Sequence, residues 1–277
     1  MLKITYTSAR TREAFDLSCP GLFAGEPSDF RAVEWDYSLG YRDVAHAARK
    51  ARKADVAVAA LDLSRADAFR RAADADLAAM DPGTVEAGGW SQRCYVAGVS
   101  LKSRLGGAAV LGLTLLLLDG VWRKASSWQF LPSAGSGSVG QAHGYPYGYA
   151  YGYPYDTGGS REIEVAGVSS CPARLVVYGP ATSPSVVIGP NRYQVDVDVP
   201  DGGYLTVDGV AGTVVMTAKN GYKTNCLGDA VLGSGEGSGS YIFERVPAGA
   251  STVSYSGAFG FDLDVYREEG AVPWTSS

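Results

Sequence analysis

Between Ser133 and Ser160 the chain reads SAGSGSVGQAHGYPYGYAYGYPYDTGGS, a stretch from which no ordinary core can be built. Glycine and serine open it, a Tyr-Pro-Gly repeat fills the middle, and Gly158-Gly159-Ser160 closes it. With no apolar periodicity, it reads as a linker or an extended arm. The 277 residues therefore divide into a domain over 1–132, an arm over 133–160 and a domain over 161–277. Each flank is long enough to bury its own core. Tyrosine holds every second position of the arm at Tyr145, Tyr147, Tyr149, Tyr151, Tyr153 and Tyr155. In extended backbone such positions share one face, so the arm is expected to dock on its own chain or on a neighbouring subunit. A passive linker is the competing reading.

The flanks are written in short strands and tight turns, in keeping with 36 glycines and 17 tyrosines. Before the arm, strands are expected over residues 2–7, 13–17, 30–37 and 55–63. One helix follows, with Ser64 as N-cap, Asp67 three residues on, and Phe69, Ala73, Leu77 and Met80 on its apolar face. Asp81-Pro82-Gly83 ends it. Residues 90–99 and 108–118 read as paired strands across a polar turn at 100–107. The 108–118 run is too short to cross a membrane and reads as a strand buried on both faces. After the arm, alternation and turn signals give about eight strands. They include 193–199, 204–207, 213–217, 241–246, 252–255 and 259–266. The fold class expected is mainly β: an N-terminal α+β domain with one helix, then a C-terminal antiparallel sandwich of jelly-roll type.

Chemistry has little to work with. The net charge of −5 opposes a phosphate-dominated nucleic-acid binder, so no nucleic-acid specificity is expected. The one basic cluster, Arg49, Lys50, Arg52 and Lys53, reads as a solvated or interface-facing stretch. Cys19, Cys94, Cys171 and Cys226 form no CxxC and match no zinc spacing, and they read as scattered reduced thiols. Two histidines, His46 and His143, supply neither a metal motif nor a triad, so no catalytic residue, metal or cofactor is expected. The glycine-rich 233–239 run lacks the Lys-Ser/Thr ending of a phosphate loop. The opening residues alternate like a strand and show no apolar signal-peptide core. Asp196 with Asp198, and Asp262 with Asp264, fall at i and i+2, each pair expected on one strand face. They read as solvated positions, with a calcium or sugar contact as the sharper alternative. Tyr204, Tyr222, Tyr241, Tyr255 and Trp274 are candidate sugar platforms set against a role in the core.

Several local patterns, taken in order, resemble the distal tail protein family of long-tailed bacteriophages. Gly88-Gly89-Trp90, Cys94-Tyr95-Val96 and Leu118-Asp119-Gly120-Val121-Trp122 lie before the arm, and the Tyr-Pro repeat is similar to the family's aromatic linker. After it come 184–191 leading to Tyr193, Gly203-Tyr204-Leu205-Thr206-Val207-Asp208, Asn220-Gly221 and Val246-Pro247-Ala248-Gly249. The resemblance implies a split-barrel-like N-terminal domain that assembles into a hexameric ring, and a galectin-like sandwich outside it. It also implies a hub joining the tail tube to the baseplate or receptor-binding proteins, without catalytic residues. The expected place is the tail of a phage or prophage virion, assembled in the host cytoplasm. The basic cluster and the arm tyrosines are then the candidate oligomer or docking residues. A carbohydrate-binding adhesin recognising host cell-wall glycan through Tyr204, Tyr222, Tyr241 and Trp274 is the alternative. A glycoside hydrolase would need a carboxylate pair across a cleft.

Overall fold

The computed structural model describes residues 2–132 and 159–274. The chain is mainly β, with one α-helix among the described residues. It forms two compact units, Met1–Lys124 with Glu268–Ser277, and Ala125–Arg267.

In the first unit, strands β1 (Ile4–Thr7), β2 (Ala14–Asp16), β3 (Ser18–Cys19) and β4 (Leu22–Ala24) precede a 3₁₀ turn at Ser28–Arg31. A hairpin of β5 (Asp36–Leu39) and β6 (Val44–Ala48) leads into β7 (Arg52–Ala60). Helix α1 (Leu63–Ala78) is followed by β8 (Gly83–Ala87), β9 (Trp90–Leu105), β10 (Ala108–Leu117) and β11 (Trp122–Phe130). The main sheet runs β2-β1-β8-β9-β10-β7-β4-β3, antiparallel throughout. Its two end strands are halves of one bent segment, so the sheet curls back on itself without closing. Leu17, between them, stitches the gap: its N–H donates to the Ile4 carbonyl at 2.8 Å, and its carbonyl accepts from the Ala24 N–H at 2.6 Å.

Several sequence expectations change here. Of the strand expected over residues 30–37, only Asp36 and Tyr37 are in a strand, at the start of β5. Phe30 is buried in the 3₁₀ turn, its ring 4.9 Å from that of Trp122, while Val33, Trp35 and Tyr37 stay exposed. The 108–118 run is not buried on both faces: Ala109, Leu113, Leu115 and Leu117 are buried and Val110 is exposed. Strand β9 runs through the expected 100–107 turn as far as Leu105, and only Gly106-Gly107 turns. Asp62, not Ser64, caps α1. Its carboxylate accepts from the Ser64 and Arg65 N–H groups at 3.0 and 3.1 Å and from the Ser64 hydroxyl at 2.6 Å, which holds its pKa below the usual range. Ser64 therefore lies inside the first turn. The buried face of α1 is Ala66, Phe69, Ala72, Ala73 and Asp76, whereas Met80 is exposed. Phe69 meets the rings of Tyr6 and Phe15 edge-on.

A carboxylate on that apolar face needs partners, and Asp76 has four. Tyr6 Oη donates to its Oδ2 at 2.6 Å, and Ser8 Oγ to its Oδ1 at 2.8 Å. The N–H groups of Ala9 and Arg10 donate at 3.3 and 2.9 Å. Burial, and then this bond, hold the Tyr6 hydroxyl protonated far above its ordinary range.

The second unit is a sandwich of two antiparallel sheets. Its strands are β12 (Gly159–Val165), β13 (Ala173–Tyr178), β14 (Ala181–Thr182), β15 (Ser185–Ile188), β16 (Asn191–Gln194) and β17 (Asp198–Val199). Then come β18 (Tyr204–Asp208), β19 (Thr213–Thr217), β20 (Lys223–Asn225), β21 (Gly249–Tyr255) and β22 (Phe261–Glu269). One sheet has the order β20-β19-β18-β13-β22, with β11 beside β22; the other is β12-β21-β15-β16. Their inner faces share one core. Leu175, Val177, Leu205, Val207, Phe261 and Leu263 come from the first sheet, and Ile163, Val186, Ile188 and Val253 from the second.

Residues 193–199 keep their alternating burial but not a single strand. Strand β16 ends at Gln194, Val195 bridges Ala230, and β17 pairs with β14. Asp196 thus lies between strands while Asp198 opens β17, and that expected same-strand pair dissolves. Residues 241–246 are turns, with Ile242 buried and Val246 bridged to Cys171.

Candidate interaction surfaces

The β5–β6 hairpin stands out in the first unit because nothing in the described chain covers it. Its strands pair only with each other there. An isolated two-stranded ribbon is marginal in water, yet this one displays Tyr37, Leu39, Tyr41 and Val44. Leu39 is 72% exposed and Tyr41 94%. Its base is tied down. Lys50 Nζ lies 3.2 Å from Asp36 Oδ1, and the Arg49 guanidinium sits 4.5 Å from the centre of the Trp35 ring.

The predicted basic cluster therefore breaks up. Lys50 belongs to the hairpin base, and Lys53 Nζ lies 3.0 Å from Asp55 Oδ2. Arg49 Nε and Arg52 Nη2 are buried and find no hydrogen-bond partner among the described residues. Burial lowers the Arg52 pKa, and Asp29 and Glu34 oppose that shift.

In the second unit a cleft of about 610 Å³ lies over the outer face of the larger sheet. Strand register builds it. Leu175 and Val177 point inward, so Arg174, Val176 and Tyr178 of β13 face out. Asp264 stands opposite Arg174 and Asp262 opposite Val176 on β22, while Tyr204 of β18 stands opposite Tyr178. Val176 thus forms an apolar floor between charged and aromatic neighbours. Ser127, Trp128 and Gln129 add a further wall. Tyr178 Oη donates to Asp262 Oδ2 at 2.6 Å, and Ser127 Oγ donates to Asp264 Oδ1 at 2.5 Å. The Asp262 bond, more than burial, raises the Tyr178 pKa. Asp262 Oδ1 and Arg174 Nε are both buried and without a partner among the described residues.

Of the predicted sugar contacts, only Tyr204 lines this cleft. Tyr222 is exposed in the turn after β19, and Tyr241 packs edge-on against Phe243 at 5.9 Å. Trp274 belongs to the first unit, where the Arg31 guanidinium lies 5.0 Å from its ring centre. Tyr145, Tyr147, Tyr149, Tyr151, Tyr153 and Tyr155 lie outside the described residues. Asp262 and Asp264 do share a strand face, as their spacing predicts. Arg174, Tyr178 and Trp128 escaped notice in the sequence. The alternation of β13 carries the signal for the first two, but only cross-strand register brings them beside the carboxylates.

No protein-family model matches the sequence, and no curated protein matches it at a significant level. The fold does match solved structures. A chain of the phage P2 baseplate in its activated conformation with Ca aligns over 98% of this chain and 100% of its own, with a TM-score of 0.61 at 10% identity. The corresponding structure with Sr gives the same coverage and TM-score at 11% identity. The SPP1 Dit protein, described as a paradigm of the hub adsorption apparatus in phages infecting Gram-positive bacteria, aligns over 97% of this chain and 99% of its own. Its TM-score is 0.55 at 9% identity. Over nearly its whole length, the chain has the fold of phage baseplate and Dit hub proteins.

Proposed function

We propose that this chain is a structural hub of a phage tail tip, not an enzyme. In this reading copies assemble through the first unit into a ring, taken as hexameric, that joins the tail tube to the baseplate or receptor-binding proteins. The observation that carries the proposal is the full-length match, end to end on both sides, to a baseplate chain and to a Dit hub. The uncovered β5–β6 hairpin supports it physically. A ribbon this exposed gains by packing against another copy, and a head-to-tail contact of that kind gives a ring when its rotation closes. Within the first unit the hairpin is the leading contact surface, and Lys50 and Lys53, ion-paired but largely exposed, stay available beside it. The virion tail is the corresponding location. Asp262 and Asp264 sit on one strand, opposite Val176 and Arg174 of β13, unlike the paired carboxylates flanking a bond that glycoside hydrolysis uses.

Native mass spectrometry of the full-length chain tests the assembly, with the triple variant Tyr37→Ser, Leu39→Asp, Tyr41→Ser as comparison. The wild type is expected as a closed oligomer, and the variant as a folded monomer that melts no higher than the oligomer and keeps its far-UV circular dichroism. Monomer alone at high concentration in the wild type, with the tube protein present, would refute the hub reading.

A further inference from the structure

The cleft on the outer sheet of the second unit is unfinished as a hydrogen-bonding site, and its chemistry names what would finish it. Buried polar atoms without partners are uncommon in folded proteins, yet this wall holds two of opposite kind. Asp262 Oδ1 needs a donor and Arg174 Nε needs an acceptor. The other carboxylate oxygen of Asp262 is already taken by Tyr178, and Asp264 is held by Ser127. The two carboxylates are thus fixed in orientation before anything binds.

The charge pattern sorts the classes of ligand. A cation would suit Asp262 and Asp264 but meets the Arg174 guanidinium, whose β-strand partner is Asp264. An anion would suit Arg174 but meets two carboxylates. A neutral polyol satisfies both, because each hydroxyl is a donor and an acceptor at once. The apolar parts point the same way. Val176 forms a floor, and the rings of Tyr178, Tyr204 and Trp128 stand around it. Such aromatic bodies with polar tips pair well with a ligand having apolar C–H faces and a hydroxylated rim. A peptide could also offer donors and acceptors, but extended peptides add to sheet edges, and this cleft lies over the middle of a sheet face.

We propose that this cleft is a saccharide-binding site that takes a neutral pyranose, with Asp262 and Arg174 bonding ring hydroxyls and Tyr204 packing on the sugar face. This goes beyond the hub reading and stands or falls separately from it, since a ring can form whether or not its outer sandwich holds a sugar.

Saturation-transfer NMR on the full-length protein tests it, because the signal arises in monomer and ring alike. The probes are glucose, galactose, mannose, N-acetylglucosamine and N-acetylgalactosamine at about 10 mM, enough to populate a millimolar site. At least one is expected to receive saturation. Tyr204→Ser and Asp262→Asn should each weaken that binding about tenfold or more. Val168→Ser, at a fully exposed position outside the cleft, should leave it unchanged. Thermal melting of each variant guards against unfolding, and Tyr204→Ser, at an exposed ring, carries the test if Asp262→Asn does not fold. No transfer to any probe would overturn the proposal. So would transfer that survives both cleft variants, or a perturbation of the cleft tyrosines by calcium chloride when no sugar produces one.

Discussion

Asp76 offers the most direct test of what fixes α1 against the sheet. It is fully buried and accepts from Tyr6, Ser8, Ala9 and Arg10. Hydrogen bonds to a charged acceptor contribute about 1.5–3 kcal/mol each, and in a cluster they do not add. Asp76→Ala removes all four acceptor contacts and leaves a small cavity. The Tyr6 and Ser8 hydroxyls can turn to new partners, but the two backbone N–H groups cannot. A loss of about 4 kcal/mol follows. Asp76→Asn keeps one oxygen, best placed to serve Ser8 and Arg10, while its NH₂ faces the Ala9 N–H. The expected cost is about 2–3 kcal/mol. Tyr6→Phe deletes a single bond and should cost about 1–2 kcal/mol. At about 3–5 °C per kcal/mol for a unit of this size, Asp76→Ala lowers the melting temperature by about 12–20 °C. Scanning calorimetry resolves the effect if the first unit melts as its own transition, and that transition alone should move. An Asn variant as stable as wild type would refute the reasoning, because the carboxylate would then cost as much in desolvation as its four donors return.

Two further outcomes follow from packing. Gly83→Ala should destabilise the first unit by about 2–3 kcal/mol, because a methyl there would lie 2.5 Å from Tyr6 Oη and 2.8 Å from the Thr7 carbonyl oxygen. Denaturant titration checks it, and an unchanged midpoint would contradict the packing described. Among the cysteines, Cys19 is half-buried while Cys94, Cys171 and Cys226 are buried, and burial pushes the Cys94 thiol up to about 12. A thiol reagent at about pH 8 should therefore label Cys19 first and Cys94 only on unfolding; rapid native labelling of Cys94, read by mass spectrometry, would show the reverse.

What the sequence made legible was whatever depends on local periodicity. Thr213–Thr217 was read to the residue, and the strand at Tyr204–Asp208 was short by one. The helix is legible where Phe69 and Ala73 are buried as their spacing predicts, and its last turn departs from that pattern. Leu77 and Met80 look like core by spacing, and Asp76 looks like surface, yet the donors at residues 6–10 reverse that order. Those donors are some seventy residues away, and helical periodicity cannot report them. The β5–β6 hairpin was hidden for a related reason: without a buried face it has no alternation to detect. The cleft was half visible. The spacing of Asp262 and Asp264 placed them together, but Arg174 and Tyr178 join them only through the β13–β22 register, which no short window contains.

Asp76 and Asp262 show why such a carboxylate has to be judged by its partners. Asp76 lies on the buried face of its helix and Asp262 on the outward face of its strand, yet both accept a tyrosine hydroxyl at 2.6 Å. Every oxygen of Asp76 is taken by donors from its own chain, so nothing is left for a ligand, and a substitution there is felt as lost stability. Asp262 keeps one buried oxygen without a partner among the described residues, and Arg174, diagonally across the β13–β22 pairing, has one such nitrogen. Desolvating such atoms without compensation works against folding. A partner from outside that completed both would recover that cost. The same accounting separates the hairpin from the rest of the first unit: Tyr6 and Phe15 are packed against Phe69, whereas Leu39 and Tyr41 stay exposed, Tyr41 with only the adjacent Arg42 guanidinium 5.3 Å from its ring centre. Stability therefore rests on groups completed within the chain. Recognition is to be sought where completion requires another molecule.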